Sequence, residues 1–286
     1  MDFEKKHQED LQRLRGFRLL DDDFMTKVFE DISCAELLLR IILNDEGIRV
    51  LEAHSQRGIK NLQGRSVKLD ILAVDSHNRV FNVEVQRSDR GAGAKRARYN
   101  SALIDANVTE PGDQYEDLNE TFVIFITEND VMKAGLPIYH IDRVVRETGK
   151  LFEDEEHIIY VNSQIKDETK LGRLMHDFSC TDAKDKYNKV LADRVRYFKE
   201  DERGVEIMCR EMEIMRNQAH EEGIEKGRIM QLIKQVCVKM QKFSSAEEVA
   251  NDLVEQDVPL IQKIMNVAPD FAPDYNVNDI YNALKL

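Results

Sequence analysis

Two β-rich runs separated by a short turn constrain this chain more than anything else in it. SVKLDILAV (66–74) and RVFNVEVQ (79–86) are rich in Val, Ile and Phe, and DSHN joins them with residues that favour a tight turn. They read as an antiparallel hairpin. A turn centred on His77 sets Asp70 opposite Glu84 and Lys68 opposite Gln86. Opposed residues project from the same face with Cβ atoms about 5 Å apart, and residues two apart along a strand share that face. Lys68, Asp70, Glu84 and Gln86 then form one polar cluster on one side of a two-stranded ribbon. Leu69, Ile71, Phe81, Val83 and Val85 make the opposite, apolar face, which belongs to a core.

The flanking segments supply layers to cover that face. Residues 1–20 form a polar leader running into a helix. From Asp23 to Asn44, Phe24, Val28, Phe29, Ile32, Ala35, Leu38, Leu39 and Ile42 recur at helical spacing, behind three acids, Asp21 to Asp23, suited to capping and to the helix dipole. IRVLEA (48–53) is a short strand, and SQRGIKNLQGRS is a loop punctuated by Gly58 and Gly64. Residues 94–108 read as a helix, ETFVIFIT (120–127) as a central strand, and HIIYV (157–161) as a further β-like piece. The order helix, strand, hairpin, helix, strand describes an α/β chain: a mixed sheet with helices packed on it. From about residue 184 the chain is charged and helical, with Gly223 and Gly227 as interruptions, a capping box at Ser245 and Glu248, and Pro259 at or near a helix start. This divides the chain into a domain over 1–183, with its core at about 20–130, and an all-helical region over 184–286.

Composition excludes several classes. No apolar run of the 286 residues approaches the ~18 needed to span a membrane, and MDFEKKHQEDLQRLRG lacks the apolar stretch of a secretory signal. The four cysteines lie far apart with no CxxC, as expected of thiols in a reducing compartment, so a soluble cytoplasmic protein is expected. A net charge of −13 argues against nucleic-acid binding over the whole surface. The charge is uneven, however. His54 to Leu69 holds Arg57, Lys60, Arg65 and Lys68 and no acid. Arg87 to Arg98 holds Arg87, Arg90, Lys95, Arg96 and Arg98 against one acid, with Tyr99 beside them. This second stretch is either a polyanion contact or a solvated basic helix face.

Two facing carboxylates repel each other, and a divalent cation between them removes that cost. Two carboxylates, with water and phosphate as the other ligands, suit Mg2+, with Mn2+ as a substitute. In that arrangement Gln86 orients a water and Lys68 stabilises charge developing on a phosphate. The alternative is a surface ribbon whose Asp and Glu face water, with Lys68 pairing one of them. Elsewhere, the seven histidines show no metal-ligand spacing, His176 reads as a packing residue, and Met208, Met212 and Met215 have the spacing of a packing or self-association face.

LLDDDFMTKVF, SVKLDILAVDS, NVEVQRSDRGAGAKRARYNSALIDAN, TFVIFITENDV and LMHDFSC together resemble the bacterial PD-(D/E)XK nuclease family transposases, related to recombination-promoting nucleases, over roughly residues 18–200. The resemblance implies a restriction-endonuclease-like core (α-β-β-β-α-β) and metal-dependent endonuclease cleavage of DNA. It implies that Asp70 and Glu84 are metal ligands and that Gln86 stands where lysine is usual. It also makes Asp23 an additional acid of the site, with Glu36 as the alternative. Asp23 reads equally as a plain helix cap. Lys68 is expected to supply from across the ribbon the charge that Gln86 lacks. Two other functions remain open: a nuclease-like fold that holds DNA without cutting it, and a helical interaction protein dominated by its C-terminal region, through which the chain would form a homo-oligomer.

Overall fold

A computed structural model describes residues 3–61, 64–87, 91–109 and 112–284. The expected hairpin forms, and its register is the one the turn dictates: Ile71 faces Val83, Leu72 faces Asn82 and Val74 faces Val80. Asp75 fixes the turn. Its buried carboxylate accepts the main-chain N–H groups of His77 and Arg79, both at 2.9 Å, and Nε of Arg79 at 2.8 Å.

The hairpin is not a free ribbon. Its strands, β2 (Val67–Asp75) and β3 (Val80–Gln86), lie inside a six-stranded sheet with β1 (Val50–Ile59), β4 (Thr121–Thr127), β5 (Ile138–Ile141) and β8 (Glu156–Asn162), in the order β1-β2-β3-β4-β8-β5. The short strands β6 (Val144–Val145) and β7 (Lys150–Leu151) pair separately. β3 and β4 run parallel, as do β4 and β8, and the other neighbours are antiparallel. A strand paired on both sides and covered on both faces reads as a continuous apolar run, which accounts for TFVIFIT being buried throughout. β1 extends to Ile59, so SQRGI, expected as loop, is strand.

Three helices precede the sheet: α1 (Phe3–Gly16), α2 (Asp22–Phe29) and α3 (Ile32–Leu43). The single helix expected over 23–44 is therefore two. Glu30 closes the first, and Asp31 caps the second, accepting the N–H groups of Ser33 at 3.0 Å and Cys34 at 3.3 Å. α2 is held by aromatic packing: Phe29 stacks on Phe178 at 5.7 Å and Phe24 meets Phe198 edge-on at 6.3 Å. Phe178 belongs to α5 (Lys170–Ser179) and Phe198 to α6 (Lys189–Glu200). Lys199 secures the corner between α1 and α2, donating to the carbonyls of Arg15, Phe17 and Thr181. The other side of the hairpin is covered by α4 (Ala94–Val108), whose Leu103 and Ile104 pack with Leu69, Leu72 and Val80.

The chain forms two compact units, Met1–Cys209 and Arg210–Leu286. The boundary expected near 183 falls inside the first. α7 (Glu202–Lys239) passes through Gly223 and Gly227 without a break, against the expected interruption. The second unit closes a core of its own from the end of α7 with α8 (Ala246–Leu253), α9 (Val258–Val267) and α10 (Val277–Leu284), centred on Ile233, Val236, Val249, Ile261, Ile264 and Ile280. The Ser245–Glu248 capping box and the Pro259 start are both present. Among the described residues no helix is long and apolar enough to cross a membrane.

The join between α5 and α6 depends on one buried acid. Asp177 accepts the N–H groups of Tyr187 at 2.7 Å and Asn188 at 2.9 Å, and the Asn188 carboxamide at 2.8 Å. Asp177→Ala would take the carboxylate from these three donors at a position that is itself fully buried. Urea unfolding is expected to show a loss of about 2–4 kcal/mol, whereas a change under 0.5 kcal/mol would mean that water replaces the carboxylate.

Candidate active site

The regular hairpin ladder stops at Ile71 and Val83, and the next pair is Asp70 and Glu84. Here side chains take over from main-chain pairing. The Asp70 carboxylate accepts the Val85 N–H at 3.1 Å, and the Asp70 N–H points to the Glu84 carboxylate at 3.4 Å. Glu84 is wholly buried. Its Oε1 accepts the Asn82 carboxamide at 3.0 Å, and its Oε2 takes the Arg96 guanidinium at 2.5 Å. Asn82 also accepts from Asn100 at 3.2 Å, and both carboxamides are buried. Asn82 and Asn100 were not among the expected site residues. The available signal for Asn82 was its position two residues before Glu84, on the same strand face.

Burial, the Glu84 charge and then Asp22 raise the Asp70 carboxyl to about 7; the Val85 N–H and Arg96 oppose the rise. Burial also raises Glu84, against Asn82, Arg96 and the Asp70 N–H. Of the α2 acids, Asp22 is the one whose charge raises Asp70, and Asp23 lines the cleft beside it. Asp22 is itself raised, by burial and by Asp23. Asp23 lies in the field of Arg13 and Lys68. Neither acid caps α2. Asp21, at the cap position, instead accepts the Arg18 N–H at 2.7 Å and pairs with Arg87 at 3.0 Å. Glu36 is engaged elsewhere, accepting the Val50 N–H at 3.0 Å and pairing with Arg40.

The remaining expected residues divide. Gln86 is half-buried and lines a cleft of about 370 Å³ with Arg13, Phe17, Asp21, Asp22, Asp23, Val85 and Arg87. Its side chain lies against Gly91, where an added Cβ would sit 1.7 Å from Gln86 Oε1. Lys68 does not meet Gln86, because the strands have parted; it is exposed and pairs in register with Gly58 of β1. Arg96, expected on nucleic acid, turns inward to Glu84 and is the cation at the acid pair. Arg87 pairs with Asp21 and with Glu128 at 3.4 Å. The Tyr99 hydroxyl donates to the Arg65 carbonyl at 2.5 Å and accepts from Asn61 at 3.0 Å. Lys95 and Arg98 are exposed on α4, and Arg90 lies outside the described residues.

The sequence model of the family described as PD-(D/E)XK nuclease family transposase matches residues 36–229. The chain belongs to this family. The matched span contains Asp70, Glu84, Gln86 and Arg96, and the acids of α2 precede it. The mixed α/β fold agrees with a PD-(D/E)XK nuclease, a family that generally uses divalent metals and whose substrate is DNA. No curated protein and no solved structure matches the chain.

Two other features of the molecule do not suit this chemistry. A cavity of about 590 Å³ lies at the opposite ends of β3 and β4, lined by Asp45, Glu116, Asp117, Glu120 and Glu155 among others, and repels a polyanion. Among the described residues, His176, Asp177 and Cys180 alone bring three potential metal ligands within 4.8 Å of one another. There Asp177 is fully engaged with Tyr187 and Asn188, and the Lys186 ammonium lies 3.4 Å from Cys180 Sγ. His176 packs edge-on against Tyr187, in keeping with a packing role.

The raised Asp70 pKa has a consequence for stability. The unfolded chain releases this proton near pH 4, and the folded chain near 7. Between those values the folded state holds the extra proton, so stability falls as pH rises and the loss is complete above about 7. Without divalent metal, Asp70→Asn is expected to melt higher than the parent at about pH 8, with the gap narrowing towards about pH 5. Thermal denaturation that finds Asp70→Asn less stable at pH 8 would contradict this account.

Proposed function

We propose that this chain is an endonuclease that hydrolyses DNA phosphodiester bonds with Mg2+, or with Mn2+ in its place. The carrying observation is the facing pair of carboxylates, half-buried Asp70 and buried Glu84, with Asp22 nearby and Arg96 as their direct counter-charge. Asp70, Glu84 and Asp22, against Arg96 on the pair and Arg87 acting on Asp22, leave a net negative charge that suits a hard divalent cation. Asp70 and Glu84 are the residues that would hold it, and once bound it polarises a phosphoryl oxygen and lowers the pKa of a bound water.

The chain's own groups do the rest. Asn82 and Asn100 fix the Glu84 carboxylate, and the Val85 N–H fixes that of Asp70, so both oxygen sets are oriented in advance. The Gln86 carboxamide, in the wall of the cleft, positions the attacking water. Arg96 takes the part of the missing lysine in place of Lys68: it compensates Glu84 in the resting protein and lies close enough to meet the charge that develops on the phosphate.

A second reading is binding without cleavage. It is favoured by Gln86, which carries no charge, and by the Arg96 pairing, which already compensates one of the two carboxylates.

Plasmid nicking separates the two. The parent protein is expected to nick supercoiled plasmid with Mg2+ or Mn2+ and not with chelator, and Asp70→Asn and Glu84→Gln are expected to fall to background. Asn82→Ala is expected to keep the fold and lose about 10–100-fold in rate. A parent protein that shifts plasmid in a gel but does not nick it with either metal would establish the binding reading instead.

A further inference from the structure

The β1–β2 hairpin continues beyond the sheet on the active-site side. β2 pairs with β3 only from Ile71 to Val74, whereas β1 and β2 go on pairing from Ser55–Ile71 through Arg57–Leu69 and Gly58–Lys68 to Ile59–Val67. The departure point is marked on both strands. Asp70 gives its side chain to the site, and Gln56, facing it, adopts φ of 51°, a left-handed conformation uncommon outside glycine. The three steps from Gln56, level with Asp70, to Ile59 carry the arm about 10 Å past Glu84 at ~3.3 Å per residue.

The arm is tied to α4. The Tyr99 hydroxyl bridges Asn61 and the Arg65 carbonyl, and Asn107 donates to the Lys60 carbonyl at 3.4 Å. The arm presents Arg57, Lys60 and Arg65, and the outward side of α4 presents Lys95 and Arg98. All five are exposed, and none has an acidic partner among the described residues. In a chain of net charge −13, five uncompensated cations on two elements joined side by side are a strong local exception. Lys68, exposed on β2 opposite Gly58, adds its charge to the field at Asp23.

We propose that the arm and the outward side of α4 form an accessory site for the sugar–phosphate backbone of duplex DNA, to one side of the bond placed at Asp70 and Glu84. It holds the flank of the duplex and takes no part in the chemistry. The proposal rests on the endonuclease reading for the position of that bond, but not for the binding itself. The cations are spread over about 10 Å of arm plus the first turns of α4, so they reach phosphates that a substrate of a few base pairs does not have.

The test measures binding by fluorescence anisotropy in chelator, where nothing is cut. The probes are a duplex of about two turns, ~21 base pairs at ~10.5 per turn, a stem-loop with about four base pairs, roughly 14 Å at ~3.4 Å per pair, and a single strand as long as the duplex. The triple variant Arg57→Gln/Lys60→Gln/Arg65→Gln is expected to bind the long duplex roughly thirtyfold more weakly. Its slope of log K against log salt is expected to be shallower by about 2–3, at about 0.9 per phosphate contact. Binding to the stem-loop should hardly change, and the charge-preserving Arg57→Lys/Lys60→Arg/Arg65→Lys should bind like the parent. Unchanged affinity and slope on the long duplex would overturn the proposal. So would an equal loss on the stem-loop, or equal affinity of the parent for the single strand. A protein that never nicks plasmid yet shows the arm effect leaves this proposal standing without the endonuclease. Nicking with no arm effect leaves the endonuclease standing without it.

Discussion

A carboxylate with no solvent exposure, in the middle strand of a sheet, is the constraint around which the first unit is arranged. An uncompensated charge in such a place costs several kcal/mol, so Glu84 requires partners from more than one element. It finds Asn82 on its own strand, the Asp70 N–H on the next, and Arg96 on the covering helix. Each partner fixes something larger. Asp70 accepts the Val85 N–H where regular pairing would have continued, and there the strands part. Arg96 reaches Glu84 only if α4 packs with that side against the sheet, which fixes its rotation and sends Lys95 and Arg98 outward.

The same arrangement explains how a pair of like charges persists in the folded chain. The pair is under-compensated, with Asp70 held near neutrality's edge by burial and by its neighbours. The aromatic packing of α2 on α5 and α6 then brings Asp22 towards the pair despite the repulsion. The stability of the unit is thus supplied away from the site, at Phe24, Phe29, Phe178 and Phe198 and at the carbonyls gathered by Lys199. The site itself stays short of positive charge, which suits the cation proposed for it.

Much of this was legible in the residues, for identifiable reasons. The hairpin register follows from a turn whose residues announce it and from the period-two alternation of the strands, so Asp70 and Glu84 could be set opposite each other from sequence alone. Lys68 and Gln86 could not, because the carboxylates themselves end the ladder one step earlier. Helical phase was harder. The apolar spacing from Phe24 to Ile42 runs unbroken across Asp31, which hides the break and with it the start of α2, and a one-residue change there turns a side chain by about 100°. That is the difference between Asp22 and Asp23. Arg96 looked like one more cation in a basic run, although Ala97 and Asn100 beside it mark the buried side of α4. The solvent-facing alternative for the polar hairpin face stayed open because the helix that covers it presents a carboxamide, Asn100, and a guanidinium, Arg96, to it.

The two ends of β3 differ in sign. Beyond its first residue lies the cavity walled by Asp45, Glu116, Asp117, Glu120 and Glu155, and beyond its last lie the arm and the basic side of α4. Along the strand direction the unit thus sets acid walls at one end and basic flanks beside the acid pair at the other. On the DNA-binding proposal, a long polyanion would be turned away from the acid-walled end and towards the arm before contact. Orientation becomes part of the encounter, and collisions that begin badly aimed are corrected within about a Debye length, some 8–10 Å at ordinary ionic strength.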